Sequence, residues 1–113
     1  MATDRRYDTR LPIELFVDET SAEGIYFQRT ANLSRGGMFL DNTIPHPIGT
    51  VVNLEFALPG DPTRIRVRAE VVNSVIDAAL ANAMGMGLKF LDLSPQDCDR
   101  IEAFILEVTT MKG

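Results

Sequence analysis

Residues 64–71 read Arg-Ile-Arg-Val-Arg-Ala-Glu-Val. Ile65, Val67, Ala69 and Val71 fall on one side of a two-residue period, with Arg64, Arg66, Arg68 and Glu70 on the other. Only an extended strand with one buried and one wet face satisfies that pattern. A single strand cannot bury its own apolar face, so the segment commits the chain to a sheet. The turn just before it, Pro59-Gly60-Asp61-Pro62, gives that strand a sharp start.

The rest of the chain supplies the neighbours. Leu11, Ile13, Leu15 and Val17 alternate with Glu14 and Phe16 and predict a first strand. Asp18 to Gly24 reads as a polar turn, and 25–31 as a second strand. Gly36-Gly37 opens a third at Met38-Phe39-Leu40. A loop with Pro45, Pro47 and Gly49 leads to a fourth at 51–58. The arginine-lined run is the fifth, and 85–91 the sixth. Short strands at this spacing predict an antiparallel barrel or sandwich, and closure would remove the exposed edges.

The C-terminal segment changes period. Ser94 is a helix N-cap, Pro95 takes the first helical position and Asp97 follows three residues after the cap. Ile101, Phe104, Ile105 and Val108 form an i, i+3, i+4, i+7 stripe, which predicts a helix over 95–110 buried against the mouth or flank of the sheet. Asp97, Asp99 and Glu102 lie near its positive end, where a carboxylate is favoured.

With 113 residues, the chain is one domain, 1–113, without a repeat or linker; a domain of this size buries roughly two thirds of its unfolded surface. The net charge of −5 argues against duplex nucleic acid and anionic membranes as main partners. With no Trp and two Tyr, the chain also lacks the stacking platforms of a single-strand nucleic-acid barrel. A small anion held by a local arginine cluster remains compatible with an acidic whole. The N-terminus has charges where a signal peptide needs an apolar run. The longest largely apolar stretch, Ala78 to Leu88, is broken by Asn82, Gly85 and Gly87 and is too short to span a bilayer. The chain is therefore expected in the cytoplasm, without membrane insertion.

Catalytic and metal chemistry find little footing. No nucleophile with its base, carboxylate pair or P-loop is recognisable, so no enzyme is expected. His46, between two prolines, reads as a turn residue, because no Cys, His or carboxylate cluster accompanies it at ligand spacing. Cys98, the only cysteine, reads as a quiet, partly buried thiol in the helix's first turn. Asp18, Glu19 and Glu23 read as solvated charges on a hairpin turn. The Arg64/Arg66/Arg68 row reads as a solvated face pairing with acids such as Glu14 or Glu55, with a docking stripe or second anion site as the other reading.

Two polar motifs remain. Arg6 and Arg10 stand at R-x-x-x-R spacing in Arg5-Arg6-Tyr7-Asp8-Thr9-Arg10, on a short arm (1–10) ahead of the first strand. Asn32-Leu33-Ser34-Arg35-Gly36-Gly37 reads N-x-S-x-x-G. Asn32 and Ser34 are two apart, so on a strand they share a face. Gly36 and Gly37 permit positive φ and close backbone approach, and Arg35 adds a cation.

In this order and setting the two motifs resemble the signature of the PilZ domain family, and Gly85-Met86-Gly87-Leu88-Lys89-Phe90 resembles that family's Gly-rich closing strand. The resemblance covers nearly the whole chain. It implies a mainly β fold: a six-stranded antiparallel barrel of split-barrel type over 11–91, followed by a C-terminal helix. It also implies a receptor for cyclic di-GMP, with no other cofactor, reporting to an effector protein in motility, biofilm or exopolysaccharide control. The family's ligand positions fall on Arg6, Arg10, Asn32, Ser34 and Gly37, with Arg5, Arg35 and Gly36 as additional candidates. A cyclic dinucleotide presents phosphates, guanine edges and flat π faces, and an arginine fork can pair with or stack on each. The alternative is a PilZ-like adaptor that acts through protein contacts without nucleotide.

Overall fold

The computed structural model describes residues 11–13, 15–21, 24–41, 43–77 and 83–111. The arm at 1–10, with Arg5, Arg6 and Arg10, lies outside the described residues, as do Glu14 and Glu23. Seven strands precede the helix: β1 (Leu11–Pro12), β2 (Phe16–Ser21), β3 (Gly24–Ser34), β4 (Gly37–Asp41), β5 (Val51–Phe56), β6 (Ile65–Asp77), β7 (Ala83–Phe90), then α1 (Pro95–Met111). The strands form one antiparallel sheet in the order β1-β3-β2-β5-β6-β7-β4, and β4 pairs with β3 as well as with β7.

Seven strands replace the expected six because the first is interrupted. Both β1 and β2 pair with β3, through Pro12–Asn32 and Phe16–Arg29. Between those partners β3 advances three residues (29 to 32) and the β1–β2 side four (12 to 16). One residue is therefore extra, and the two-residue alternation slips there. Beyond the slip, Leu15 and Val17 are buried while Phe16 is 81% exposed.

A second correction concerns Asp18 to Gly24. The expected polar turn is strand as far as Ser21, because Asp18, Glu19, Thr20 and Ser21 all take partners on β3. Glu19 is fully buried, so its reading as a solvated charge was wrong. His46 stands in the loop between β4 and β5, and its contacts add to its reading as a turn residue. Its Nε2 lies against the Glu19 carboxylate, and its ring meets Tyr26 edge-on at 5.8 Å between centroids.

The core gathers the inward residues of β5 (Val52, Leu54, Phe56) and of β6 (Ile65, Val67, Ala69, Val71). Ile101 and Ile105 of α1 join that same cluster, with Phe104 and Val108 packed at its margin. The helix starts as its sequence predicts: Asp97 N–H donates to Ser94 Oγ at 3.1 Å. Such a cap satisfies one of the first-turn amides and contributes about 1 kcal/mol. Among the described residues, no helix is long and apolar enough to cross a membrane.

Candidate functional site

The polar motif of residues 32–37 sits at the turn joining β3 to β4, with Ser34 and Gly37 as partners and Arg35-Gly36 between them. Ser34 Oγ donates to the Gly37 carbonyl at 3.3 Å, and the Gly36 carbonyl accepts the Phe90 N–H at 2.9 Å. The turn is thus tied to β7. Leu33 is fully buried between Asn32 and Ser34, which are both half-buried. The two polar side chains therefore share the outer face, as their spacing requires.

Two bulges assemble what surrounds them. In the β3–β4 ladder the register shifts between Thr30 and Asn32; in β6–β7 it shifts between Val71 and Asn73. Through these shifts Asn32 becomes the partner of Phe39, Phe39 of Gly87, and Gly87 of Asn73. Without the bulges Ala31 and Val72 would stand in that transverse row. Bulges commonly re-aim side chains beside functional sites, and here both put an asparagine into the same row.

The result is a pocket of about 370 Å³ whose walls include Asn32, Ser34, Phe39, Asn73 and Lys89. Gly37 and Gly87 contribute backbone alone to its lining. Neither Gly36 nor Gly37 has the positive φ that the sequence suggested; among the described glycines that conformation belongs to Gly24, Gly49 and Gly60. Gly37 is needed for space instead. A Cβ on it would lie 2.0 Å from the Leu88 carbonyl oxygen, and one on Gly87 3.2 Å from the Asn73 Cβ.

Of the expected ligand positions, Asn32, Ser34, Gly36 and Gly37 line this pocket together. Arg35 does not line it. Its Nη1 pairs with Glu102 Oε2 of α1 at 2.7 Å, joining the turn to the helix. Sequence reasoning missed Phe39, Asn73 and Lys89 in the pocket. The Gly-rich β7 stretch was the one signal near them.

The arginine row on β6 behaves as a paired surface. Arg64 bonds Glu55 at 2.6 Å and Asp18 at 3.2 Å, Arg66 reaches Glu55 at 3.3 Å, and Arg68 bonds Asp92 at 2.9 Å. The Arg68 side chain, and then its backbone N–H, hold the Asp92 carboxyl below its ordinary pKa. A second concavity of about 420 Å³ lies over Asp18, Glu55, Arg66, Arg68 and Asp92. It is the larger of the two, yet its charges neutralise one another. Among the described residues no group of three or more His, Cys, Asp or Glu is placed to hold a metal ion.

The PilZ domain family model matches residues 4–107. The chain belongs to the PilZ family. Its fold is similar to the Bacillus subtilis inhibitor of motility MotI/DgrA, with a TM-score of 0.78 at 19% identity over 91% of this chain and 50% of that one. It is also similar to the PilZ domain of Escherichia coli YcgR, solved with c-di-GMP (TM-score 0.68, 19% identity, 92% of this chain and 91% of that one). The K. pneumonia MrkH–c-di-GMP complex matches with a TM-score of 0.72 at 16% identity, over 92% of this chain and 52% of MrkH. This PilZ chain thus spans about half the length of the MotI/DgrA and MrkH chains. No curated protein matches it significantly.

Proposed function

We propose that this PilZ domain is a cyclic di-GMP receptor in which Arg6, Arg10, Asn32, Ser34 and Gly37 hold the nucleotide. One observation carries the reading: the strand that follows the R-x-x-x-R motif is hydrogen-bonded beside the N-x-S-x-x-G cluster. Leu11 partners Leu33 and Pro12 partners Asn32. Arg10 is one residue, about 3.8 Å of Cα spacing, from Leu11. In this reading the Arg10 guanidinium reaches the ligand at the rim of the pocket that Asn32 and Ser34 line.

The chemistry fits a dinucleotide. The amide and hydroxyl can fix a guanine edge or a phosphate oxygen, and the arginines can pair with phosphate or stack on a base. The close β4–β7 approach at Gly37 leaves that one position without a side chain, so a planar base can lie against backbone there. The solved PilZ relatives YcgR and MrkH carry c-di-GMP, and MotI/DgrA is an inhibitor of motility. Nucleotide held by Arg6 and Arg10 together with the pocket residues would alter the surface, and an effector protein in the cytoplasm would read the altered surface. The protein acts in this account as a receptor and adaptor, without catalysis. The return of pairing from β4 to β3 supports the six-stranded barrel of the family, with β1 and β2 as halves of one interrupted strand.

Calorimetric titration tests the proposal, with cyclic di-GMP as ligand and GTP and cyclic GMP as controls. The expected result is selective micromolar or tighter binding that Arg10→Ala weakens by about 2–5 kcal/mol, as for other closely held charge pairs. Absence of heat and of any competing displacement signal would refute it.

A further inference from the structure

The motif residues account for one wall of the pocket. We propose that the opposite wall, Lys89 of β7 and Asn73 of β6, also contacts the nucleotide: Lys89 at a phosphate oxygen and Asn73 at a guanine edge. This rests on the cyclic di-GMP reading of the same pocket.

Charge supplies the first argument. Among the described side chains every arginine is committed to a carboxylate: Arg35 to Glu102, Arg64 and Arg66 to Glu55, Arg68 to Asp92, and Arg100 to Asp61 and Asp97. Lys89 is the described cation without such a partner, although its neighbour across the ladder is Glu70. Among the described residues, this ammonium stands at the edge of a pocket with no carboxylate to neutralise it. A ligand with two phosphate charges supplies its counterion.

Position supplies the second. Gly37 partners Lys89, so the ammonium stem rises beside a floor position that has no side chain of its own. Asn73 stands over Gly87, whose missing Cβ would crowd the Asn73 Cβ at 3.2 Å. The β6 bulge puts Asn73, with its two donors and an acceptor, where an unbulged strand would put Val72. Both side chains are exposed, and the pocket separates them from Asn32 and Ser34. A ligand seated against the motif meets them on its other side.

The test is titration of the full chain with cyclic di-GMP at two salt concentrations, for wild type, Lys89→Ala, Lys89→Arg and Asn73→Ala. Thermal melting confirms that each variant is folded. Lys89→Ala is expected to weaken binding about tenfold and to reduce its salt dependence, while Lys89→Arg retains most of both. Asn73→Ala is expected to weaken binding several-fold with the salt dependence unchanged. Wild-type affinity in both alanine variants would overturn this wall and leave the cyclic di-GMP reading standing. A wild-type chain that does not bind the nucleotide would overturn both.

Discussion

The fully buried Glu19 carboxylate lies 2.5 Å from Nε2 of His46 and accepts an N–H from Gln28 at 2.9 Å. This pair joins β2 to the loop between β4 and β5, which Ser74 also anchors by donating to the His46 carbonyl at 3.0 Å. Removing one partner of a buried pair leaves the other desolvated and unmatched, which costs more than the pair contributes. Glu19→Ala should therefore destabilise the fold by about 3 kcal/mol. Urea unfolding checks this, and a variant within experimental error of wild type would show that the pair is dispensable.

Gly37 separates a structural from a ligand-contacting role. Its missing Cβ would sit 2.0 Å from a backbone oxygen of β7, and no rotamer change relieves a clash with backbone. Gly37→Ala should cost about 3 kcal/mol or more, at the upper end of overpacking effects. It should lower the melting temperature with or without nucleotide. A stable Gly37→Ala protein that has lost only binding would show instead that the glycine matters to the ligand alone.

Asn32 and Ser34 should behave in the opposite way. Each is half-buried on the outer face, and Ser34 makes a long 3.3 Å bond to Gly37. Asn32→Ala and Ser34→Ala should each weaken cyclic di-GMP binding roughly tenfold or more, equivalent to a charge-assisted contact of about 1.5–3 kcal/mol. Stability should change by no more than about 1 kcal/mol. Parallel calorimetry and denaturation on the two variants distinguish these effects.

Acid should loosen two surface clamps. Asp61 is held below its ordinary pKa by the Arg100 side chain first and the Thr63 N–H second, and Asp92 by Arg68 in the same manner. Because these folded-state values are depressed, their stabilisation is full above the unfolded carboxylate pKa of roughly 4 and is lost as pH falls through the lower folded values. The melting temperature should drop between about pH 5 and pH 2. Asp61→Asn and Asp92→Asn should each flatten that drop. An unchanged slope in both variants would assign acid sensitivity to other groups.

Legibility in the sequence followed locality. The cap at Ser94 and the Ile101–Val108 stripe define the helix within one residue at its far end, 111 against 110, because both signals lie inside the element. The alternation of 64–71 marks the start of β6 but not its continuation to Asp77, because the bulge at Val71–Asn73 breaks the period. In β3, the strand was expected to stop at 31, yet it passes through another bulge to Ser34. The pocket lies where those two bulges occur, so the irregularity that builds the site also hides half of it. Glu19 with His46 and Arg35 with Glu102 are joined across 27 and 67 residues, separations that no local pattern reports. Asn32, Ser34 and Gly37 were legible as a group because they fall within six residues of chain.

The central claim is that the nucleotide sits between the β3–β4 turn and the wall formed by β6 and β7. Titrating the nitrogen-labelled protein with cyclic di-GMP and following its backbone amide resonances tests this most directly. The account predicts the largest shifts at Asn32, Ser34, Gly36, Phe39, Asn73 and Gly87–Lys89, with Asn53, Glu55 and Arg66 little changed. Shifts centred on the Glu55–Arg66–Arg68 groove, or none at saturating nucleotide, would contradict it.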